Sequence, residues 1–181
     1  MNQNRKQELL ELARKVIEAK FQNKEYDLEF ISREFKEKRG VFVTITKKKE
    51  LRGCIGFIQP IKSVYDSVKE NALNAAFHDP RFTHLKKEEL SQIKIEISIL
   101  TIPQKLDYKD EKNLLQKLQK SKPGVVLEKS GHQATFLPQV WEEVKEAEEF
   151  LRHLSWKAGL GVDEWKSAII YTYTVEKFME N

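Results

Sequence analysis

Cysteine and clustered histidine are nearly absent from this sequence of 181 residues. Cys54 is the single cysteine, so the chain cannot form an internal disulfide. No two histidines have the spacing of a ligand pair on one helical turn; they stand at His78, His84, His132 and His153. The sequence therefore predicts neither a disulfide framework nor a structural zinc site, and no metal site is expected.

Long apolar runs are also missing. The longest stretch without a charged residue extends from Ser130 to Trp141, well short of the ~20 residues that a membrane-spanning helix needs. The N-terminal residues mix Glu8, Glu11 and Glu18 with Lys and Arg, and they lack the continuous apolar segment of a signal peptide. The sequence therefore predicts a soluble cytoplasmic protein with no membrane partner.

A large excess of one charge sign is absent as well. The chain has 32 Lys and Arg against 28 Asp and Glu, which gives a net charge of +4. Most lysines alternate with glutamates, a pattern typical of a solvated surface rather than of a stripe that follows phosphates. The pI near 9.0 only reaches the level at which nucleic-acid binding becomes a serious hypothesis. With 40% hydrophobic residues, the composition is that of a globular protein.

Hydrophobic periodicity predicts an α+β fold. Apolar residues at helical spacing indicate four helices, over residues 4–21, 63–78, 112–120 and 146–158. Alternating and β-branched segments indicate six strands, over residues 41–47, 51–57, 93–99, 125–128, 133–136 and 168–175. Because hairpin-length connections dominate, we expect a mostly antiparallel sheet flanked by helices, in one domain with a smaller lobe within about residues 105–145.

The segment from Leu51 to Gly56 combines a strand pattern with two glycines, which indicate a bulge or a close backbone approach. Alternation along a strand predicts that Arg52 and Cys54 project from the same face. A neighbouring guanidinium favours the thiolate form of a cysteine, which would make Cys54 a candidate nucleophile. The alternative is that Cys54 is a small packed residue and Arg52 a structural ion-pair partner.

The following helix carries an uncharged polar stripe at steps of three and four residues, formed by Ser67, Asn71, Asn74 and His78. Solvent-facing stripes usually carry Lys and Glu, so this stripe is interpreted either as the lining of a pocket or as a face covered by another element.

Asp79 and Arg81 flank Pro80, which fixes a bend directly after that helix. Such a pair can position an anionic or hydroxyl-bearing ligand; alternatively, it forms a structural bridge. The helix is about as long as the preceding strand, so the chain should return to the start of that strand. We therefore expect Asp79 or Arg81 to lie within about 10 Å of Arg52 or Cys54.

Several segments carry a resemblance that spans essentially the whole chain. They are residues 51–56 (LRGCIG), 75–82 (AAFHDPRF), 136–140 (FLPQV) and 157–160 (KAGL), followed by Trp165. Together they resemble the AMMECR domain family. The resemblance implies an α+β domain with a smaller lobe and a cleft that the Arg-Gly-Cys strand helps to line. Thr83 and His84 depart from the family, whose members tend to have proline after the Arg-Phe pair.

The resemblance also implies partners and site residues. Relatives of this length look like protein A of the AmmeMemoRadiSam system, whose genes accompany a Memo-like protein and a radical-SAM protein. Residues on motif positions give a candidate site. Its proposed catalytic residues are Cys54, Arg52 and Asp79, and its proposed ligand-binding residues are Gly53, Gly56, Asn74, Arg81 and Gln139.

Three functions remain open at this point. The first is binding or processing of a small ligand in the cleft at Cys54, with no cofactor indicated by any motif. The second is a nucleic-acid or protein-binding module, in keeping with roles suggested for the family in transcription, replication, repair or translation. The third is an adaptor that docks to the Memo-like or radical-SAM protein.

Overall fold

The structure is a computed structural model that describes residues 1–24, 26 and 35–181. It contains two compact units. The first comprises Met1–Ile102 together with Glu176–Asn181, and the second comprises Pro103–Val175. Residues 105–145, over which a smaller lobe is predicted, fall within the second unit, and the lobe itself stays a prediction.

Helices and strands alternate irregularly along the chain. In chain order they are α1 (Gln3–Phe21), β1 (Val41–Lys47), β2 (Glu50–Phe57), α2 (Val64–Phe77), β3 (Ile93–Leu100), β4 (Gln104–Lys105), α3 (Glu111–Ser121), β5 (Gly124–Lys129), β6 (His132–Phe136), α4 (Ala147–Lys157), β7 (Ile169–Tyr173) and β8 (Val175–Met179). Short 3-10 helices occupy Lys87–Glu89, Pro138–Glu142 and Glu164–Ser167.

The strands form two four-stranded sheets, in the orders β2-β1-β3-β8 and β4-β7-β5-β6. The registered strand pairs are antiparallel. The predicted α+β class is therefore confirmed, although the strands divide between two sheets rather than one. Within the described residues, no helix is long and apolar enough to cross a membrane.

The core of the first unit follows from alternation along β1 and β3. Val43 lies opposite Ile97, and Ile45 lies opposite Ile95. All four side chains are buried, with the apolar faces of α1 and α2 in the same core cluster. Burial of each such side chain contributes about 1.5–3 kcal/mol, so the alternating pattern fixes which face of the sheet the two helices cover.

Capping signals set the start and the end of α2. The Ser63 hydroxyl accepts a hydrogen bond from the Asp66 N–H at 3.1 Å, as an N-cap residue does. The helix ends at Phe77, shortly before Pro80, because the residue before a proline is driven out of the helical region. The predicted helix is thereby confirmed at both ends.

The β1–β2 hairpin is confirmed, and it has two irregularities. Its two-residue turn consists of Lys48 (φ 53°) and Lys49 (φ 71°), both left-handed. That conformation costs roughly 1–2 kcal/mol for each residue other than glycine. A bulge lies further along β2, because Thr46 pairs with Leu51 while Ile45 pairs with Gly53. Arg52 is therefore the extra residue of β2.

The second unit has its own core between its sheet and helices α3 and α4. The ring of Trp141 stacks on Phe150 with centroids 3.9 Å apart. Gly159 follows α4 with φ 75°, the left-handed conformation in which helices commonly end on glycine.

The strand predicted over residues 168–175 is confirmed as β7, which covers Ile169–Tyr173. The sequence does not predict the strand that follows it, β8, which belongs to the other sheet.

Gly53 allows β2 to touch α2 directly. A Cβ atom at this position would lie 2.0 Å from the Ala75 carbonyl oxygen, a contact that real Cβ atoms do not make. The predicted close backbone approach is thus confirmed, and it brings the end of α2 against the strand.

We expect Gly53→Ala to lower the free energy of unfolding by about 2–3 kcal/mol, because the added methyl group forces the helix and the strand apart. Urea unfolding measures the change. Gly161→Ala is the matched control, since its Cβ would approach only the flexible Glu164 side chain, at 3.3 Å. Equal stability of the wild type and the Gly53 variant would contradict the contact.

Candidate functional site

The main chain of Cys54 faces the open edge of the first sheet. β2 is the outermost strand, and in an antiparallel pair every second residue turns its N–H and C=O away from the neighbouring strand. The Cys54 N–H donates to Asp79 Oδ2 at 2.8 Å, and the Cys54 C=O accepts from Arg81 Nη2 at 3.1 Å. The segment after α2 therefore takes the place of a neighbouring strand at Cys54.

The Asp79 carboxylate holds this arrangement together. Its side chain is only 2% exposed. Besides the Cys54 N–H, its oxygens accept hydrogen bonds from Arg81 N at 3.1 Å, Arg81 Nε at 2.9 Å and Arg81 Nη2 at 2.7 Å. The hydrogen bonds from the Arg81 side chain are the main cause that holds the pKa of Asp79 far below its usual range, against the opposing effect of burial.

These contacts confirm the expected approach of the two motifs. Asp79 and Arg81 were predicted to lie within about 10 Å of Arg52 or Cys54, and both make hydrogen bonds with the Cys54 main chain.

The Cys54 thiol is half-buried and contacts a hydroxyl group. Its Sγ lies 3.1 Å from Oγ1 of Thr44, which pairs with Cys54 across the hairpin. The guanidinium of Arg81 reaches the same residue through its main chain, since Arg81 Nη2 donates to the Cys54 carbonyl oxygen. The pKa of Arg81 is raised, mainly by the hydrogen bonds to Asp79.

The Arg52 guanidinium is bound to a different part of the chain. Its Nε and Nη2 donate to the Glu89 carboxylate at 3.1 and 3.0 Å, and it also donates to the carbonyl oxygens of Thr83 and His84. Glu89 accepts from Lys47 as well, at 2.9 Å. The Arg52 hydrogen bonds are the main cause that lowers the pKa of Glu89 to about 2.

This geometry separates two residues that simple alternation had placed side by side. Because Arg52 is the extra residue of a bulge, strict alternation fails between it and Cys54. The guanidinium that contacts Cys54 is that of Arg81, through the main-chain carbonyl oxygen, and Arg52 fits the alternative interpretation as a structural ion-pair partner. Its catalytic role stays a prediction.

The polar stripe of α2 is covered in part by the sheet. Ser67 and Asn71 are buried, and Asn71 Nδ2 donates to the Val41 carbonyl oxygen at 3.0 Å. Asn74 is half-buried, whereas His78 is exposed. The first two residues thus form a covered face, and the assignment of Asn74 to a ligand site stays a prediction.

The remaining predicted site residues lie in different surroundings. Gly56 allows close packing, since a Cβ there would lie 2.4 Å from the Phe42 ring. Gln139 belongs to the second unit, where it lies exposed on the 3-10 helix Pro138–Glu142. Its part in ligand binding stays a prediction. The described part of the chain contains no group of three or more His, Cys, Asp or Glu side chains that could hold a metal ion.

Comparison with known proteins bears on this site, because the motifs that form it also carry the family resemblance. The AMMECR1 family model matches residues 10–178, nearly the whole chain. The chain belongs to the AMMECR1 family. Protein NEQ441 of Nanoarchaeum equitans is 39% identical over 93% of this chain and 95% of the relative. Protein MK0488 of Methanopyrus kandleri is 41% identical over 80% of this chain and 72% of the relative.

A solved structure shows the same AMMECR1 fold. The crystal structure of uncharacterized protein PH0010 from Pyrococcus horikoshii matches with a TM-score of 0.78 at 36% sequence identity. The match covers 96% of this chain and 90% of that one.

Two residues of this AMMECR1 site were missed by the sequence reasoning. Thr44 was missed because a regular hairpin with the turn at Lys48 and Lys49 would place it opposite Gly53; only the bulge moves it to Cys54. The sequence does not identify Glu89 as a site residue, since it follows another glutamate in a charged segment that is typical of a solvated surface.

We expect Asp79→Asn to lower the free energy of unfolding by about 1–3 kcal/mol at pH 7, because Arg81 loses its charged partner. The native pKa of Asp79 lies below its unfolded value. The contribution of its charge is therefore complete above about pH 5 and is lost as the pH falls further. Urea unfolding at several pH values should show the difference between variant and wild type shrinking below about pH 4.

Asp163→Asn is the control, because the nearest cations lie 4.0 Å from its exposed carboxylate. If the difference in free energy of unfolding between the wild type and Asp79→Asn persists unchanged at acidic pH, the Asp79 side chain stabilises the fold by its packing and not by its charge.

Proposed function

We propose that this AMMECR1-family protein binds a small anionic ligand at Arg81, next to the Cys54 thiol. The observation that carries the proposal is the state of the Arg81 side chain. It is 54% exposed, yet its Nε and Nη2 are fixed by the buried Asp79 carboxylate and the Cys54 carbonyl oxygen. A guanidinium held in place before the ligand arrives loses little conformational entropy on binding.

The hydrogen bonds that remain available favour a carboxylate or a phosphate. Within the described residues, no hydrogen bond occupies Nη1 of Arg81. Guanidinium N–H groups form their strongest hydrogen bonds with carboxylate and phosphate oxygens. Because the Asp79 carboxylate is buried and Arg81 is exposed, the solvent-facing charge of the pair is positive.

The surroundings of the thiol support binding more strongly than turnover. A cysteine nucleophile usually has a general base within hydrogen-bonding distance. Among the described side chains, the hydrogen-bonding partner of Sγ is the Thr44 hydroxyl, and the nearby Asp79 carboxylate is already occupied by Cys54 N–H and Arg81. Processing of the ligand would therefore need a base that the ligand itself supplies.

The resemblance to protein A of the AmmeMemoRadiSam system supports a further part of the proposal. We infer that the protein works in the cytoplasm with a Memo-like protein and a radical-SAM protein. Co-purification of the three proteins expressed together tests this part. If the three proteins do not co-purify but the protein still binds anions at Arg81, this part of the proposal is wrong and ligand binding at Arg81 does not depend on it.

Alkylation of Cys54 tests the ligand site, because the chain has a single thiol. We expect iodoacetamide to label native Cys54 at pH 7. Labelling of the Arg81→Gln variant, which lacks the exposed guanidinium, is compared with that of the wild type. Inorganic phosphate and acetate serve as anionic probes, and each should protect Cys54 in the wild type but not in the Arg81 variant.

Arg152→Gln is the matched control, because Arg152 is similarly exposed and lies in the second unit. It should change neither the rate nor the protection. The proposal fails if Cys54 is labelled only after unfolding, or if the anions protect both arginine variants equally.

A further inference from the structure

The turn of the β1–β2 hairpin carries residue types that its backbone does not favour. Both Lys48 and Lys49 have positive φ, at 53° and 71°. A two-residue turn of this type is best served by Asn-Gly, since asparagine and glycine adopt the left-handed region at little cost. The stability of the hairpin therefore does not explain why two lysines occupy this turn. A function of their positive charges would explain it.

Further unpaired lysines lie at the same end of the first sheet. Lys94 is exposed on β3, opposite Thr46 of β1. Lys86 and Lys87 are exposed as well, and the Lys86 N–H donates to the Glu89 carboxylate that also binds Lys47. Within the described residues, Lys48, Lys49, Lys86, Lys87 and Lys94 form no ion pair.

We define the hairpin cluster as the cations and carboxylates that surround this turn. It has seven cations, Lys47, Lys48, Lys49, Arg52, Lys86, Lys87 and Lys94, and three carboxylates, Glu50, Glu88 and Glu89. Its net charge therefore equals the formal net charge of +4 of the whole chain. The rest of the molecule is neutral in sum, so the positive excess is concentrated at this end of the sheet.

We propose that the hairpin cluster binds the phosphate backbone of duplex nucleic acid. Lysine side chains contact phosphates as point charges, and such contacts give affinity without reading the sequence. The cluster contains no aromatic residue on which single-stranded bases could stack. Its one exposed large apolar neighbour is Leu51, which is far less than the apolar face that a membrane-surface helix inserts. The proposal concerns residues other than Arg81 and Cys54, so it goes beyond the proposed function.

Fluorescence anisotropy with a labelled DNA duplex tests the proposal. We expect non-specific affinity, with a dissociation constant of about 10⁻⁴ to 10⁻⁶ M at physiological salt. Each phosphate contact contributes about −0.9 to the slope of log K against log salt concentration, so five unpaired lysines predict a slope of about −4 to −5.

The decisive variant is Lys48→Asn with Lys49→Gly. It removes two charges and relieves the turn, so its melting temperature should rise by about 2–4 °C. The slope should nevertheless become shallower by about 2, and binding in low salt should weaken at least tenfold. Lys94→Gln leaves the turn unchanged and should make the slope shallower by about 1.

Lys112→Gln with Lys120→Gln is the matched control, because both lysines are exposed on α3 and the net charge changes by the same amount. It should leave the slope unchanged. The proposal is overturned if the control loses as much affinity as the turn variant, or if the turn variant binds like the wild type. Binding to vesicles that contain phosphatidylserine, without binding to DNA, would also overturn it and assign the cluster to a membrane surface.

Discussion

The site in this structure depends on one buried carboxylate. Asp79 is almost fully covered and remains charged because four hydrogen bonds reach its two oxygens, one from the Cys54 N–H and three from Arg81. A buried charge without such partners would cost several kcal/mol. The carboxylate therefore fixes both the position of the chain after α2 and the direction of the Arg81 side chain.

Two features of β2 make this arrangement possible. Gly53 lets the end of α2 approach the strand, which brings Asp79 to its edge. The bulge at Arg52 then shifts the register, so that Cys54 lies opposite Thr44. The two arginines acquire different roles in consequence. Arg52 is held by Glu89 and the carbonyl oxygens of Thr83 and His84, whereas Arg81 remains half-exposed next to the thiol.

Local rules were sufficient to predict much of the fold from the sequence. The Ser63 cap, the stop before Pro80 and the alternation of β1 and β3 act over a few residues, and each is confirmed. Alternation along the chain does not predict that β7 and β8 join different sheets, because that choice depends on strands distant in the sequence.

The candidate site could be predicted only in part, for the same reason. The approach of Asp79 and Arg81 to Cys54 follows from the similar lengths of β2 and α2 and from the turn at Pro80, so the sequence is sufficient to predict it. The glycines of residues 51–56 indicate a bulge or a close approach, but they do not show that the extra residue is Arg52. In the structure, Arg81 and not Arg52 is hydrogen-bonded to Cys54, through the main-chain carbonyl oxygen.

Amide hydrogen exchange at two residues of β2 tests the central claim most directly. Cys54 and Gly56 both turn their N–H toward the open edge of the sheet, but among the described residues only the Cys54 N–H has a partner, Asp79. We expect strong protection of the Cys54 amide and rapid exchange of the Gly56 amide. Equally rapid exchange at both residues would contradict the claim that Asp79 holds the strand edge.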